Sequence, residues 1–353
     1  MALLLYLLPN LEELEYFWIG QRMHQIGLIL ERMVAGEKPF DQRPGLPRLC
    51  QAHIKLIHTA QGSFPLQRLR PFYQLPSMRV LKVQRAIGGF ASDDQLPDNS
   101  STIEHLEIVQ SRMPNGCCEL IAPCKNLKSF KYSHHDGSGL DIAAFSQSLG
   151  AKSNTLEELS VGYCRGESDV ADSQSFGSLR DYTALKRLRL RMDNLGDTPG
   201  SPLVDILPSS LESLSISDTS GDEGKHKLLV AKLCDLVKAS RVALPRFKLL
   251  DIEGDFQNPT LSSQERREGL RVYPGPSSLL LPWIYEITKE TRTICLETGV
   301  SFTIRDIGIE RQINNLPDYH PDNLPEYNPV ALQQLQGEHL ENVTFSLDNF
   351  LML

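Results

Sequence analysis

Six residues in one short stretch have the types that bind metals or attack carbonyl carbons: Cys117, Cys118 and Cys124, then His134, His135 and Asp136. Thiolates and imidazoles are ordinary zinc ligands, and a thiol beside an imidazole is the pairing of a cysteine nucleophile. Spacing argues against the first use. Zinc sites take paired ligands at C-x-x-C-like separations, and adjacent cysteines do not easily converge on one ion. The second use lacks an identifiable third group to orient the histidine and any oxyanion hole. The stretch reads as buried thiols packed behind a strand, followed by a polar loop. A hydrolase with a site around Cys117 to Asp136 is the alternative from another functional class. Elsewhere there is no G-x-S-x-G, no phosphate-binding glycine loop with Lys-Ser/Thr and no H-E-x-x-H. No residue is therefore assigned a catalytic role, and no cofactor or metal is expected.

A second constellation suits binding better than catalysis. In Leu185-Lys186-Arg187-Leu188-Arg189-Leu190 the last four residues alternate polar and apolar, as in a half-buried strand. Side chains alternate faces along a strand, so Leu185, Leu188 and Leu190 point inward while Arg187, Arg189 and Arg191 point to the other face. There they can make charge-assisted, often bidentate bonds to carboxylates or phosphates of a partner. The opposing reading is a solvated face paired with Glu158 or Asp251 on flanking strands.

Those arginines need an element to hold them, and the chain supplies it repeatedly. LPNLEELEY (Leu8 to Tyr16), LPRLCQAHI (Leu46 to Ile54) and LPSMRVLKV (Leu75 to Val83) share one apolar spacing. TIEHLEI, NLKSFKY, TLEELSV, ALKRLRL, SLESLSI and RFKLLDI follow, ending at Ile252. The first apolar positions, Leu11, Leu49, Met78, Ile103, Leu127, Leu156, Leu185, Leu211 and Phe247, recur every 24 to 38 residues, the spacing of a solenoid. Segments of helical character lie between the strands: Gln21 to Val34, Leu140 to Leu149 and Glu223 to Ala239, the last with Leu228, Leu229, Leu233, Leu236 and Val237 at helical spacing. The expected fold is an α/β leucine-rich-repeat solenoid, a horseshoe with a parallel concave β-sheet and helices on its convex side.

The alternation also gives the outward row, on a sheet roughly 40 Å long at the ordinary strand spacing: Glu13 and Glu15, Gln51 and His53, Val80 and Lys82, His105 and Glu107, Ser129 and Lys131, Glu158 and Ser160, Arg187 and Arg189, Ser213 and Ser215, Leu249 and Asp251. The partner-binding candidates are Arg187, Arg189, Arg191, Glu13, Glu15, Lys82, His105 and Lys131. Trp18 joins them because Trp and Tyr are enriched at hot spots. The competing reading packs Tyr16, Phe17 and Trp18 against the helix of Gln21 to Val34.

Composition bounds the rest. The 353 residues, 41% hydrophobic and 23% charged, are those of a soluble globular protein. A net charge of −8 gives no support to nucleic acid as a partner of the whole chain. Seven cysteines, an odd number without regular spacing, fit a reducing intracellular compartment. The apolar start Met1 to Leu8 has no basic leader and is too short to span a membrane. It reads as a core helix entering the first strand.

The solenoid is expected over residues 1–304, with a variable excursion at about 258–278 and a closing repeat at about 281–304. In the latter, a helix from Leu281 to Glu297 leads through Thr-Gly into a strand, Val300 to Ile304. Residues 305–353 read as a Pro-rich tail, partly disordered or packed on the last repeat. It holds a tandem NLP[DE]YxP, Asn315 to Pro321 and Asn323 to Pro329, and a sequon at Asn342-Val343-Thr344. A duplicated binding motif acting by avidity is the functional reading of the tandem.

The LPNLEEL, LPRL, LPSMRVL and LPSSLESL units, with the late helix followed by Gly-Val and a strand, resemble the divergent leucine-rich-repeat region of fungal F-box proteins. The resemblance covers roughly residues 3 to 304. It implies a protein-interaction scaffold that holds the substrate of a cullin-based ubiquitin ligase. The F-box itself is not found, so the ligase adaptor is an expected partner only if an F-box lies upstream. The alternative is a repeat-only scaffold or inhibitor unrelated to ubiquitin.

Overall fold

The computed structural model describes residues 8–18, 24–42, 45–56, 63–90, 95–113, 117–135, 140–163, 175–195, 202–217, 223–254 and 282–306. Contacts divide the chain into two compact units, residues 1–199 and 200–353. The apolar start, the excursion at 258–278, the NLP[DE]YxP tandem and the sequon lie outside the described residues.

In the first unit seven strands pair in parallel, in the order β1 (Glu13–Trp18), β2 (Gln51–Leu56), β4 (Val80–Gln84), β6 (His105–Ser111), β7 (Ser129–His134), β8 (Glu158–Tyr163) and β9 (Arg187–Arg191). Two short strands, β3 (Phe64–Pro65) and β5 (Ala86–Ile87), pair with each other. The helices are α1 (His24–Val34), α2 (Arg70–Gln74), α3 (Cys118–Ile121) and α4 (Ile142–Gly150). The second unit pairs β10 (Ser213–Ser217), β11 (Leu249–Gly254) and β12 (Ser301–Asp306) in parallel, with helices α5 (Glu223–Ala243) and α6 (Pro282–Thr298). This is the α/β leucine-rich-repeat architecture the spacing predicts.

One backbone device fixes the register. At seven of the strands the preceding residue and the strand's first residue both donate their N–H to a single carbonyl one repeat earlier. Cys50 and Gln51 donate to Glu12, Arg79 and Val80 to Cys50, Glu104 and His105 to Arg79, Lys128 and Ser129 to Glu104, Glu157 and Glu158 to Lys128, and Lys186 and Arg187 to Glu157, all at 2.7–3.1 Å. In the second unit Lys248 and Leu249 do the same to Glu212. A slip of one residue would turn every leucine to solvent. As built, Leu49, Met78, Ile103, Leu127, Leu156 and Leu185 are all 0% exposed.

A row of hydroxyls reinforces this join. Ser77, Thr102 and Thr155, each just before a first apolar residue, donate to the carbonyls of Leu49, Met78 and Leu127 at 2.8, 2.8 and 2.9 Å. Buried carbonyls are costly to leave bare, which gives Ser and Thr a reason to recur at this position.

The helices cover the inward face through aromatic contacts. Phe145 of α4 lies 5.9 Å from Phe130 and 5.0 Å from Tyr132 of β7. Phe72 of α2 stacks on Tyr16 of β1, and the Tyr73 hydroxyl donates to the Leu120 carbonyl of α3. α6 ends as the Thr-Gly pair predicts. Gly299, at φ 76°, donates to Leu296, and Val300 donates to Cys295, a Schellman pattern that turns the chain into β12.

The expected helices are present, with α5 running to Ala243 rather than Ala239. The short α2 and α3 are additions, because four or five residues carry no helical periodicity to read. β6 carries a bulge between Ile108 and Ser111, with Gln110 at φ 52°. Arg85, at φ 59°, follows Gln84, which pairs with Val109. The two left-handed residues thus stand level on neighbouring strands, where the alternation rule ends.

Replacing the hydroxyl in Thr102→Val or Thr155→Val leaves the Met78 or Leu127 carbonyl without this donor. Each is expected to cost about 1 kcal/mol in denaturant unfolding, with the m-value unchanged.

Candidate protein-binding surface

Parallel pairing without offset lines up the outward residues of the first unit into ladders. One runs Glu13, Gln51, Val80, His105, Ser129, Glu158, Arg187, and the next runs Glu15, His53, Lys82, Glu107, Lys131, Ser160, Arg189. Neighbours in a ladder sit one strand spacing apart, within reach of long polar side chains.

Much of the charge is satisfied laterally. Gln51 donates to Glu13 at 2.7 Å. Glu15 takes Lys55 at 2.9 Å and faces His53 at 3.8 Å, and the hydrogen bond from Lys55 holds its carboxyl below the usual range. Lys82 lies 3.7 Å from Glu107. Just outside the strands a second row alternates in sign: Arg79, Glu104, Lys128, Glu157, Lys186. Its contacts are 3.9 Å for Arg79–Glu104, 2.6 Å for Glu104–Lys128 and 2.7 Å for Glu157–Lys186. These are the side chains of the register-setting residues, so the ion pairs follow the backbone device.

Glu158 is the centre of the densest cluster. Its Oε1 meets Lys131 Nζ at 2.9 Å, and its Oε2 accepts from Ser129 at 2.9 Å and from Arg187 at 3.4 Å. Burial works against its charged form, but the bonds from Lys131, Ser129 and Arg187 outweigh it and hold the carboxyl below the usual carboxylate range. The alternation rule identified Glu158 as a neighbour of the arginines. Its grip on both Lys131 and Arg187 depends on register, which a single sequence does not give.

Glu13, Glu15, His105 and Arg187 are exposed on the outward face, and Lys82, Lys131 and Arg189 are half-buried there. Two expectations fail. Arg191 is 2% exposed and does not belong to the outward row. The chain passes directly from it into the 3-10 turn Met192–Asn194, where Asn194 is buried as well, so strand alternation no longer governs its direction. Trp18 is also buried, edge-on to Phe64 with ring centroids 5.1 Å apart. It packs in the core against Phe64 of β3 and is not presented on the surface. Its neighbour Phe17 is the exposed aromatic, with Lys55 Nζ 5.9 Å from its ring centroid, the range of a cation–π contact. In the second unit Leu249 is exposed, whereas Asp251 is buried and accepts from the Ser215 hydroxyl at 2.9 Å.

The cysteine and histidine stretch is built into the wall of the core. Cys117 precedes α3 at φ 55°, and its thiol lies against Met113 Sδ at 3.5 Å. The Cys124 thiol donates to the Leu120 carbonyl. Burial raises the pKa of both, that of Cys124 to about 12. His134 is the last residue of β7 rather than part of a loop, with Nδ1 2.8 Å from the Tyr132 hydroxyl. Among the described residues no group of three or more His, Cys, Asp or Glu converges as a metal site.

Two outcomes follow. Glu158 contributes stability that is fully present above its unfolded pKa and is lost as pH falls through its lower folded value. Glu158→Gln is expected to flatten that acid limb of a stability-against-pH curve and to cost about 1 kcal/mol at neutral pH. Cys117 and Cys124 are expected to resist a thiol-specific alkylating reagent at neutral pH until the chain unfolds, while half-buried Cys50 and Cys118 are modified first, as read by peptide mass mapping.

A family model for the leucine-rich repeat domain matches residues 41–253. Among curated proteins no relative matches the chain. The match takes in more than half of the sequence and six of the seven paired strands of the first unit, together with β10 and β11. The chain belongs to the leucine-rich-repeat family and is, as its domain implies, a protein-interaction scaffold.

Proposed function

We propose that the protein recruits its partner on the outward face of the repeat sheet. In this reading Glu13, Glu15, Lys82, His105, Lys131, Arg187 and Arg189 are contact residues, and Phe17 takes the aromatic role first considered for Trp18. The observation that carries it is the in-register ladder of polar side chains across seven strands. Such a face sets many side chains at fixed spacing on a rigid frame, which lowers the ordering cost of binding. We take residues 1–304 as the repeat array and 305–353 as an appended tail.

The finer role is substrate recognition for an F-box-type ubiquitin ligase inside the cell, supported by the resemblance of the LPNLEEL, LPRL, LPSMRVL and LPSSLESL units. A cullin-ligase adaptor would then be a partner through an F-box upstream of this sequence. The rival is a scaffold or inhibitor without a link to ubiquitin. Nucleic acid and membrane are not proposed as partners: the charge is −8, and no helix among the described residues is long and apolar enough to cross a membrane.

The test is affinity capture from source lysate with the intact chain and with Arg187→Ser/Arg189→Ser, the captured proteins being identified by mass spectrometry. Loss of specific partners with the folded variant is expected. Cullin-ligase subunits among them would support the ubiquitin role, and identical partner sets would remove the basic ridge from consideration.

A further inference from the structure

The sheet of the first unit ends at β1, which has β2 on one side and no strand on the other among the described residues. The register device defines its outer edge. In the later strands the first residue, Gln51 in β2 and Val80 in β4, turns its N–H toward the earlier repeat, and every second residue after it does the same. By that period Glu13, Glu15 and Phe17 turn their N–H and C=O groups away from β2. The apolar stack ends here too. Leu11 and Leu14 are half-buried, whereas their equivalents Leu49 and Ala52 in the next repeat, and Met78 and Leu81 in the one after, are 0% exposed. Main-chain donors and acceptors thus lie beside an unfinished apolar strip, the two things an added strand needs.

The side chains select what can be added. Glu12, Glu13 and Glu15 are exposed along this edge. Glu13 takes a neutral donor, Gln51, and Glu15 takes Lys55, so three carboxylates share one lysine among the described residues. A second copy of β1 would set these acids against their own counterparts, and like charges on neighbouring strands repel. A strand with Lys or Arg at the outward positions and apolar residues between them meets the opposite situation. Its cations stand one strand spacing from Glu13 and Glu15, and its apolar side chains continue the stack beyond Leu14 and Tyr16. Phe17, exposed at the far end of β1 with Lys55 over its ring, adds an aromatic contact there.

We propose that the outer edge of β1 is a docking site for an extended segment of a protein partner in which basic and apolar residues alternate, added in parallel to the sheet. Glu12 and Glu13 stand where Cys50 and Gln51, or Arg79 and Val80, close on one carbonyl in later repeats. A single carbonyl of the incoming segment accepts both N–H groups, which fixes its direction and register. Main-chain bonds supply the affinity, and the acids reject acidic segments and a second copy. The site lies at the opposite end of the first unit's sheet from Arg187 and Arg189, so it is separate from those contacts and does not depend on them.

The experiment uses the full chain and a short fluorescein-labelled peptide of alternating Lys and Val, read by fluorescence anisotropy. An alternating Glu/Val peptide and a Lys/Val peptide of the same composition arranged in two blocks serve as comparison probes. Preference for the alternating Lys/Val peptide over both is expected. In the parallel arrangement its valines turn their N–H toward β1, so N-methylation of the valines should weaken binding about tenfold and N-methylation of the lysines should leave it unchanged. Glu12→Lys/Glu13→Lys, with an unchanged circular dichroism spectrum, should weaken the Lys/Val peptide about tenfold and admit the Glu/Val peptide. Arg187→Ser/Arg189→Ser should change neither. Absence of binding, equal binding of the block peptide, or loss with Arg187→Ser/Arg189→Ser overturns the proposal. So does sensitivity to lysine rather than valine N-methylation, which marks an antiparallel strand. If the peptide behaves as expected while lysate partners are the same with and without the two arginines, the β1 edge stands and the arginine contacts fall.

Discussion

A carbonyl that accepts two N–H groups from the next repeat is the contact on which this structure depends. It recurs at Glu12, Cys50, Arg79, Glu104, Lys128 and Glu157 in the first unit and at Glu212 in the second. Each instance sets one strand on the last without offset. Inward leucines then stack on inward leucines, and outward polar residues form continuous ladders. The connecting segments can vary in length because the join does not pass through them, which accounts for repeats of 24 to 38 residues on one regular sheet.

The same device organises the electrostatics. Because the shared-acceptor residues align, their side chains form the alternating row from Arg79 to Lys186. Pairs of this kind contribute little each when solvated, yet their alternation avoids like charges side by side. On the face itself Glu13, Glu15 and Glu107 meet lateral partners, and Glu158 gathers three. The face is therefore polar, with much of its charge met between neighbouring strands.

Three of the residues that look most chemical in the sequence, Cys117, Cys124 and His134, are buried. Cys117 and Cys124 are buried thiols with raised pKa values, packed against Met113 and the Leu120 carbonyl. His134 is tied to Tyr132, whose hydroxyl also donates to the Ser111 carbonyl at 3.0 Å. Together they join β6 to β7 where the Gln110 bulge interrupts regular pairing. The stretch gives the core a hydrogen-bonded seam.

By itself the sequence determined the leucine spacing, the strand at each repeat, the long helices and the two-faced alternation that puts Arg187 and Arg189 outward. All of these are local periodicities that follow from backbone geometry. It did not determine the burial of Arg191, which follows the outward alternation of its strand yet runs directly into a 3-10 turn. Residue type alone makes Trp18 a candidate contact, although alternation sets it on the inward face with Tyr16; what only the structure shows is that it meets Phe64, a residue far along the chain. Nor could the sequence show that one carboxylate, Glu158, would hold Lys131 and Arg187 from two neighbouring strands at once. Alternation says which face a side chain takes, but burial and pairing depend on register between distant segments and on what packs above them. Only the tertiary structure brings those together.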